Sequence, residues 1–113
     1  MTFALGPALL FCPADRPDRF RTALARADAV ILDLEDAVAP QAKADARGAL
    51  IEADVDPERV IVRVNPVGSA DFVADMATLS QTDFRRIMVA KAESPKRLAR
   101  IDPRFRLIAL CET

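Results

Sequence analysis

The sequence predicts an α/β fold built on a parallel sheet, and three observations lead there. Strand-like apolar runs and segments of helical period alternate from one end of the chain to the other. The runs Ala29–Leu34, Val60–Val64 and Arg106–Leu110 are nearly continuous hydrophobics, as expected of strands covered on both faces. The repeat is roughly 20–30 residues, which suits a strand and its right-handed helical crossover.

The first strand is Ala8–Cys12, closed by Pro13. Asp15–Arg26 follows as a helix, with Phe20, Ala23, Leu24 and Ala27 at helical spacing. Ala29–Leu34 is the second strand and Gln41–Ala53 the second helix, with Pro40 suited to its first turn. The third strand, Val60–Val64, is ended by Asn65-Pro66 and Gly68. A helix over Asp71–Ser80 follows, aligning Phe72, Val73, Met76 and Leu79. Arg86–Ala90 is the fourth strand. Ser94-Pro95 gives a cap and a proline at the first helical position, opening Pro95–Ile101. Arg106–Leu110 is the fifth strand.

A doubly wound open sheet and a (β/α)8 barrel both accommodate this order. Neither G-x-G-x-x-G nor G-x-x-x-x-G-K occurs, so the dinucleotide and P-loop readings lose their main support. A barrel needs about 250 residues. The 113 residues here would supply its N-terminal half, ending on strand 5.

Half of the chain is hydrophobic and 29% is charged, the profile of a single globular domain. A formal net charge of −1 gives no field that argues for nucleic acid or an anionic membrane. No apolar run approaches a membrane span, and the N-terminal residues lack the basic start of a signal peptide, so the cytoplasm is expected. Cys12 and Cys111 lie in apolar runs and read as core residues. With no histidine, catalysis must rest on carboxylates, Lys, Arg or a metal.

Strand exits are where an α/β protein places its chemistry. The first opens into Cys12-Pro-Ala-Asp-Arg-Pro-Asp-Arg19, where Arg16 and Arg19 could hold a phosphate or form a solvated, charge-balanced turn. The second runs into Asp33, Glu35 and Asp36. Acids at a buried strand exit are costly unless they meet a cation, a donor or water. Arg63, inside the third strand, must find either a structural carboxylate or a substrate carboxylate. Lys91 and Glu112 close the fourth and fifth exits. An arginine and carboxylates converging at one end of a barrel can bind a divalent cation and a small oxo-acid.

Six segments in order carry a family resemblance: Leu10-Phe-Cys-Pro-Ala-Asp-Arg-Pro17, Ile31-Leu-Asp-Leu-Glu-Asp-Ala-Val38, Lys43-Ala-Asp-Ala-Arg47, Val62-Arg-Val-Asn65, Lys91-Ala-Glu-Ser94 and Ile108-Ala-Leu-Cys-Glu-Thr113. On these the chain resembles the citrate lyase β-subunit-like proteins of the HpcH/HpaI aldolase superfamily, the CoA-ester lyases. The resemblance implies that residues 1–113 are the N-terminal part of one TIM (β/α)8 barrel. It also implies Mg2+-dependent cleavage or formation of a C–C bond in an acyl-CoA, with citryl-, malyl- or citramalyl-CoA as candidate substrates.

By motif position, Arg63 corresponds to the arginine that grips the oxo-acid carboxylate, and Glu112 to the first Mg2+ ligand. Glu35 and Asp36 correspond to acids close to the metal and its waters, with Asp33 as a structural neighbour. Arg16, Arg19 and Lys43 lie where relatives meet CoA phosphates. Cys12, Ala14, Val89-Ala-Lys91 and Cys111 depart from the usual pattern in core or loop positions. The second metal ligand, an aspartate at strand 6, is expected beyond Thr113, so the isolated chain is expected to be inactive. A homo-oligomer, often trimeric in the family, is expected of the complete enzyme. A malyl-CoA-type thioester hydrolase and a non-catalytic truncated product are the alternatives.

Overall fold

A computed structural model describes residues 8–90, 95–99 and 101–110. Five strands, β1 (Leu9–Pro13), β2 (Ala29–Asp33), β3 (Val60–Arg63), β4 (Arg86–Ala90) and β5 (Arg106–Leu110), form one parallel sheet in the order β1-β2-β3-β4-β5. That order agrees with the barrel that the family resemblance implied and decides between the two architectures that periodicity alone left open. A doubly wound sheet reverses direction at a switch point, whereas here every strand lies beside its successor, as in a (β/α)8 barrel.

Connecting helices are α1 (Phe20–Arg26), α2 (Lys43–Glu52), α3 (Ala70–Leu79) and the short α4 (Pro95–Leu98). Strand alternation divides the buried residues into two sets. Cys12, Val30, Leu32, Val60, Val62, Ile87 and Val89 share the main core with Phe20 of α1, Leu50 of α2 and Leu79 of α3. The residues between them, Ile31, Ile61 and Met88, form a second cluster with Ile108 on the opposite face. Asp33 and Arg63 continue that second face by alternation, in lateral register at the ends of β2 and β3. The candidate site therefore sits on the sheet face away from the helices.

Prolines shortened two of the expected helices at their starts. Pro17–Arg19 and Pro40–Ala42 are 3₁₀ turns, so α-helical geometry begins only at Phe20 and Lys43. Each proline fixes the entry angle and holds the preceding residue out of the α region, as at Ala39 with φ −63° and ψ 150°. The fourth helix stops at Leu98 rather than Ile101, ahead of Asp102-Pro103. The third starts cleanly: Gly68, at φ 95°, takes the left-handed turn, and the Ser69 hydroxyl accepts the Phe72 N–H at 3.1 Å. Cys12 is a buried core residue, as expected; Cys111 lies outside the described residues.

The two sheet faces differ at β1. Phe11, on the face away from the helices, is 53% exposed, whereas Leu32 is enclosed under the helices. Leu32→Ala should therefore cost about 2–5 kcal/mol. Phe11→Ala should cost about 1 kcal/mol or less, mostly its contact with a neighbouring guanidinium. Urea-unfolding midpoints of the two variants against the parent chain check the difference.

Candidate active site at the β2 and β3 exits

Asp33 ends β2 directly opposite Arg63, which ends β3. The pairing brings a carboxylate that is 1% exposed against a guanidinium that is 15% exposed. Arg63 Nε donates to Asp33 Oδ1 at 2.9 Å, and Arg63 Nη2 donates to Oδ2, a bidentate fork. The same carboxylate accepts the Glu35 N–H on Oδ1 at 2.8 Å and the Ala37 N–H on Oδ2 at 3.1 Å. Four donors thus converge on one buried acid, and they bend the chain into the turn that presents Glu35 and Asp36.

Burial by itself would push the Asp33 carboxyl up. The Arg63 hydrogen bond, the Glu35 and Ala37 N–H groups and the Arg63 charge together outweigh it and hold Asp33 below the usual carboxylate value. Arg63 is held above its own usual value, first by the Asp33 hydrogen bond, and stays charged throughout. Its planar face lies 5.2 Å from the Phe11 ring centroid.

Arg63 therefore meets a structural carboxylate, one of the two partners open to it from the sequence. That pairing leaves part of the guanidinium available. Asp33 uses only Nε and one N–H of Nη2, so the other Nη2 N–H and the adjacent N–H of Nη1 form a second edge. Glu35 Oε1 stands 3.9 Å from Nη1, beyond hydrogen-bond reach, with its side chain 38% exposed. Asp36 is exposed. The three acids do not form a metal cage of their own, since no group of three possible ligands converges among the described residues. Glu112 and Lys91 lie outside the described residues.

Lys43, placed near the CoA phosphates by motif position, is engaged inside the fold. Its side chain is buried, and Nζ donates to the Leu34 carbonyl at 2.8 Å, the Glu35 carbonyl at 2.9 Å and Asn65 Oδ1 at 3.0 Å. An ammonium has three donors, so none is left for a phosphate. Arg16 is forked onto Asp18 at the surface, with Nη2 to Oδ2 at 3.0 Å, and Arg19 is exposed. The backbone N–H of Arg19 is taken by the Arg16 carbonyl at 2.9 Å, which removes one of the donors expected to be free there.

A network behind the site, centred on Asp75, was given no role from the sequence. Asp75, fully buried on α3, accepts the Asn65 N–H and Nδ2, both at 2.8 Å, and Arg47 Nε at 2.9 Å. Arg47 also donates to Asp71 Oδ1 at 2.7 Å. The available signal was periodicity: Asp75 falls three residues after Phe72 and four before Leu79, on the core side of its helix. Lys43 likewise shares a helical face with Ala46 and Leu50.

Because Asp33 is depressed in the folded state, its pairing stabilises the chain fully above about pH 3.9, its unfolded value. That contribution is lost as pH falls through the lower folded value. Asp33→Ala, which strands the Arg63 guanidinium, should cost about 3–5 kcal/mol at pH 7. The gap between variant and parent should shrink below about pH 3.9, as followed by urea unfolding across a pH series.

Comparison with known proteins converges on one family. The model of the HpcH/HpaI aldolase/citrate lyase family matches residues 8–109. The citrate lyase subunit beta-like protein of Mycobacterium tuberculosis is 51% identical over 110 residues, covering 97% of this chain and 40% of that protein. The L-malyl-CoA/beta-methylmalyl-CoA lyase of Cereibacter sphaeroides is 38% identical over 92 residues, 70% of this chain and 29% of that enzyme. The crystal structure of M. tuberculosis CitE with magnesium and pyruvate superposes with a TM-score of 0.91 at 50% identity, over 97% of this chain and 46% of that one. Its complex with magnesium, acetoacetate and coenzyme A gives 0.89 at 49% identity, over 94% and 39%. The chain thus spans less than half the length of each of these relatives. Sequence match, strand order and superposition agree: the chain belongs to the HpcH/HpaI aldolase/citrate lyase family.

Proposed function

We propose that the chain supplies the oxo-acid-binding wall of a Mg2+-dependent carbon–carbon lyase that acts on a CoA thioester and releases or consumes a small oxo-acid. Citryl-, malyl- and citramalyl-CoA are the substrate candidates. The observation that carries the reading is the distal edge of Arg63, which makes no hydrogen bond among the described residues. Its bond to Asp33 fixes the plane of the guanidinium and leaves N–H groups of Nη1 and Nη2 directed together, the donor pair that a carboxylate takes bidentately. A neutral site or a lysine would not impose that geometry.

Glu35 and Asp36 fit the metal by their chemistry, being carboxylates with access to water beside the guanidinium. Mg2+ takes oxygen ligands, usually one or two carboxylates, and keeps several waters. In this reading Glu112 is the direct ligand, while Glu35 and Asp36 hold its waters. When bound, the ion supplies positive charge next to the carbonyl oxygen on which negative charge develops. Arg63 holds the acid so that the scissile bond is oriented against the thioester. Arg16 and Arg19, at the β1 exit, are the remaining candidates for the CoA phosphates. A homo-oligomer working in the cytoplasm completes the reading. Among the described residues no helix is long and apolar enough to cross a membrane.

Two results test this. The 113-residue chain alone should show no turnover of malyl- or citramalyl-CoA in an assay for glyoxylate, pyruvate or oxaloacetate, because it spans only 40% of the relative it matches. In a full-length enzyme carrying this segment, Arg63→Lys keeps a cation for Asp33 but loses the fork. It should weaken oxo-acid binding about 30-fold or more, and unchanged binding would reject the assigned role. Arg63→Ala should abolish that binding. Release of free CoA without any oxo-acid would instead make the enzyme a thioester hydrolase.

A further inference from the structure

The buried Lys43 ammonium has three acceptors, and all three are uncharged: two carbonyls and an amide oxygen. Among the described residues no carboxylate lies within ion-pair distance of it. A buried charge satisfied only by dipoles is an expensive way to fill a core position. Neutral or apolar residues commonly replace such charges without loss of stability. What the ammonium does that an apolar side chain could not is hold two successive carbonyls, those of Leu34 and Glu35, at the point where β2 ends.

We propose that Lys43 is a positioning residue for the acidic turn, with Asn65 and Asp75 as its support. The turn is held from two sides. Asp33 takes the Glu35 and Ala37 N–H groups, and Lys43 takes the Leu34 and Glu35 carbonyls. With its own N–H and C=O both tied, the Glu35 backbone is fixed, and its carboxylate stays beside Arg63 Nη1. Asn65 joins the clamp to the helices. Its Oδ1 faces Lys43 Nζ, which can only donate, and its Nδ2 faces Asp75 Oδ2, which as a carboxylate only accepts, so the amide has one possible orientation. Asn65 Nδ2 also reaches the Leu34 carbonyl at 3.2 Å, and Arg47 anchors Asp75 to α2. Every member of this network is satisfied, and such a network rigidifies what it holds.

The inference rests on reading the turn as part of the metal site, and the test separates the two. In the 113-residue chain the Lys43 ammonium should give a slowly exchanging 1H–15N signal at neutral pH. That signal should stay in place when adenosine 3′,5′-bisphosphate is added as a probe of the CoA phosphates. A signal that moves with the nucleotide, or an ammonium that exchanges as fast as exposed lysines, overturns the proposal. In a full-length enzyme, Lys43→Gln keeps an amide donor but loses the charge and part of the reach. The Mg2+ concentration for half-maximal activity should rise about 10–100-fold, the usual effect of removing an outer-shell support, with the thioester KM within about twofold of the parent. The reverse split, a raised thioester KM with unchanged Mg2+ dependence, would return Lys43 to phosphate binding. If the enzyme turns over no CoA thioester, the lyase reading fails, and the ammonium spectra still decide the role of Lys43.

Discussion

The buried ion pair between Asp33 and Arg63 is the interaction on which the rest of the site depends. It links two adjacent parallel strands at the level where their ladder ends, on the sheet face that carries no helices. An isolated charge at either position would cost several kcal/mol. As a pair, further saturated by two backbone N–H groups, they become a rigid corner. The corner bends the chain out of β2 and sets the plane of the guanidinium. Neither strand alone contains this information; the parallel register supplies it.

Around that corner the charges are divided unequally. Arg63 is neutralised on one edge by Asp33 and remains cationic on the other, while Lys43 contributes a second positive charge beneath the Glu35 carbonyl. Glu35 and Asp36 project from a turn tied by the Asp33 carboxylate and the Lys43 ammonium. The result is a surface that sets two water-accessible carboxylates beside a planar guanidinium. The turn is held by side chains that are themselves buried, Asp33 and Lys43. Preorganisation of this kind moves the ordering cost from the moment of binding to folding.

Much of this was legible in the sequence because it rests on periodicity and on motif register. The limits of β4 and β5 agree residue for residue with the apolar runs, and β2 and β3 differ from expectation only by their last residue. Helix starts were less legible. Pro17 and Pro40 suit a helical first turn, and that same constraint also favours the tighter 3₁₀ geometry found there. Strand order was legible only through motif register, since local propensity does not choose between a sequential and a doubly wound sheet. The partner of Arg63 was left open for a similar reason, because lateral register decides it. The inward position of Lys43 was not read, because its place near the CoA phosphates came from motif position in the family. Its face, shared with Ala46 and Leu50, argued otherwise.

Every contact that builds this corner is closed within a short stretch of chain. Asp33 and Arg63 are 30 residues apart, Lys43 and Leu34 are 9 apart, Asn65 and Leu34 are 31, and Arg47 and Asp75 are 28. Domains emerge from the ribosome N-terminal end first, and loop closure over such distances is inexpensive. The β2–β3 unit with α2 and α3 can therefore assemble before β5 has been synthesised. The order of synthesis then becomes an order of construction: the Asp33–Arg63 corner forms first, and β5 pairs with β4 at the far edge of a sheet whose geometry is already set.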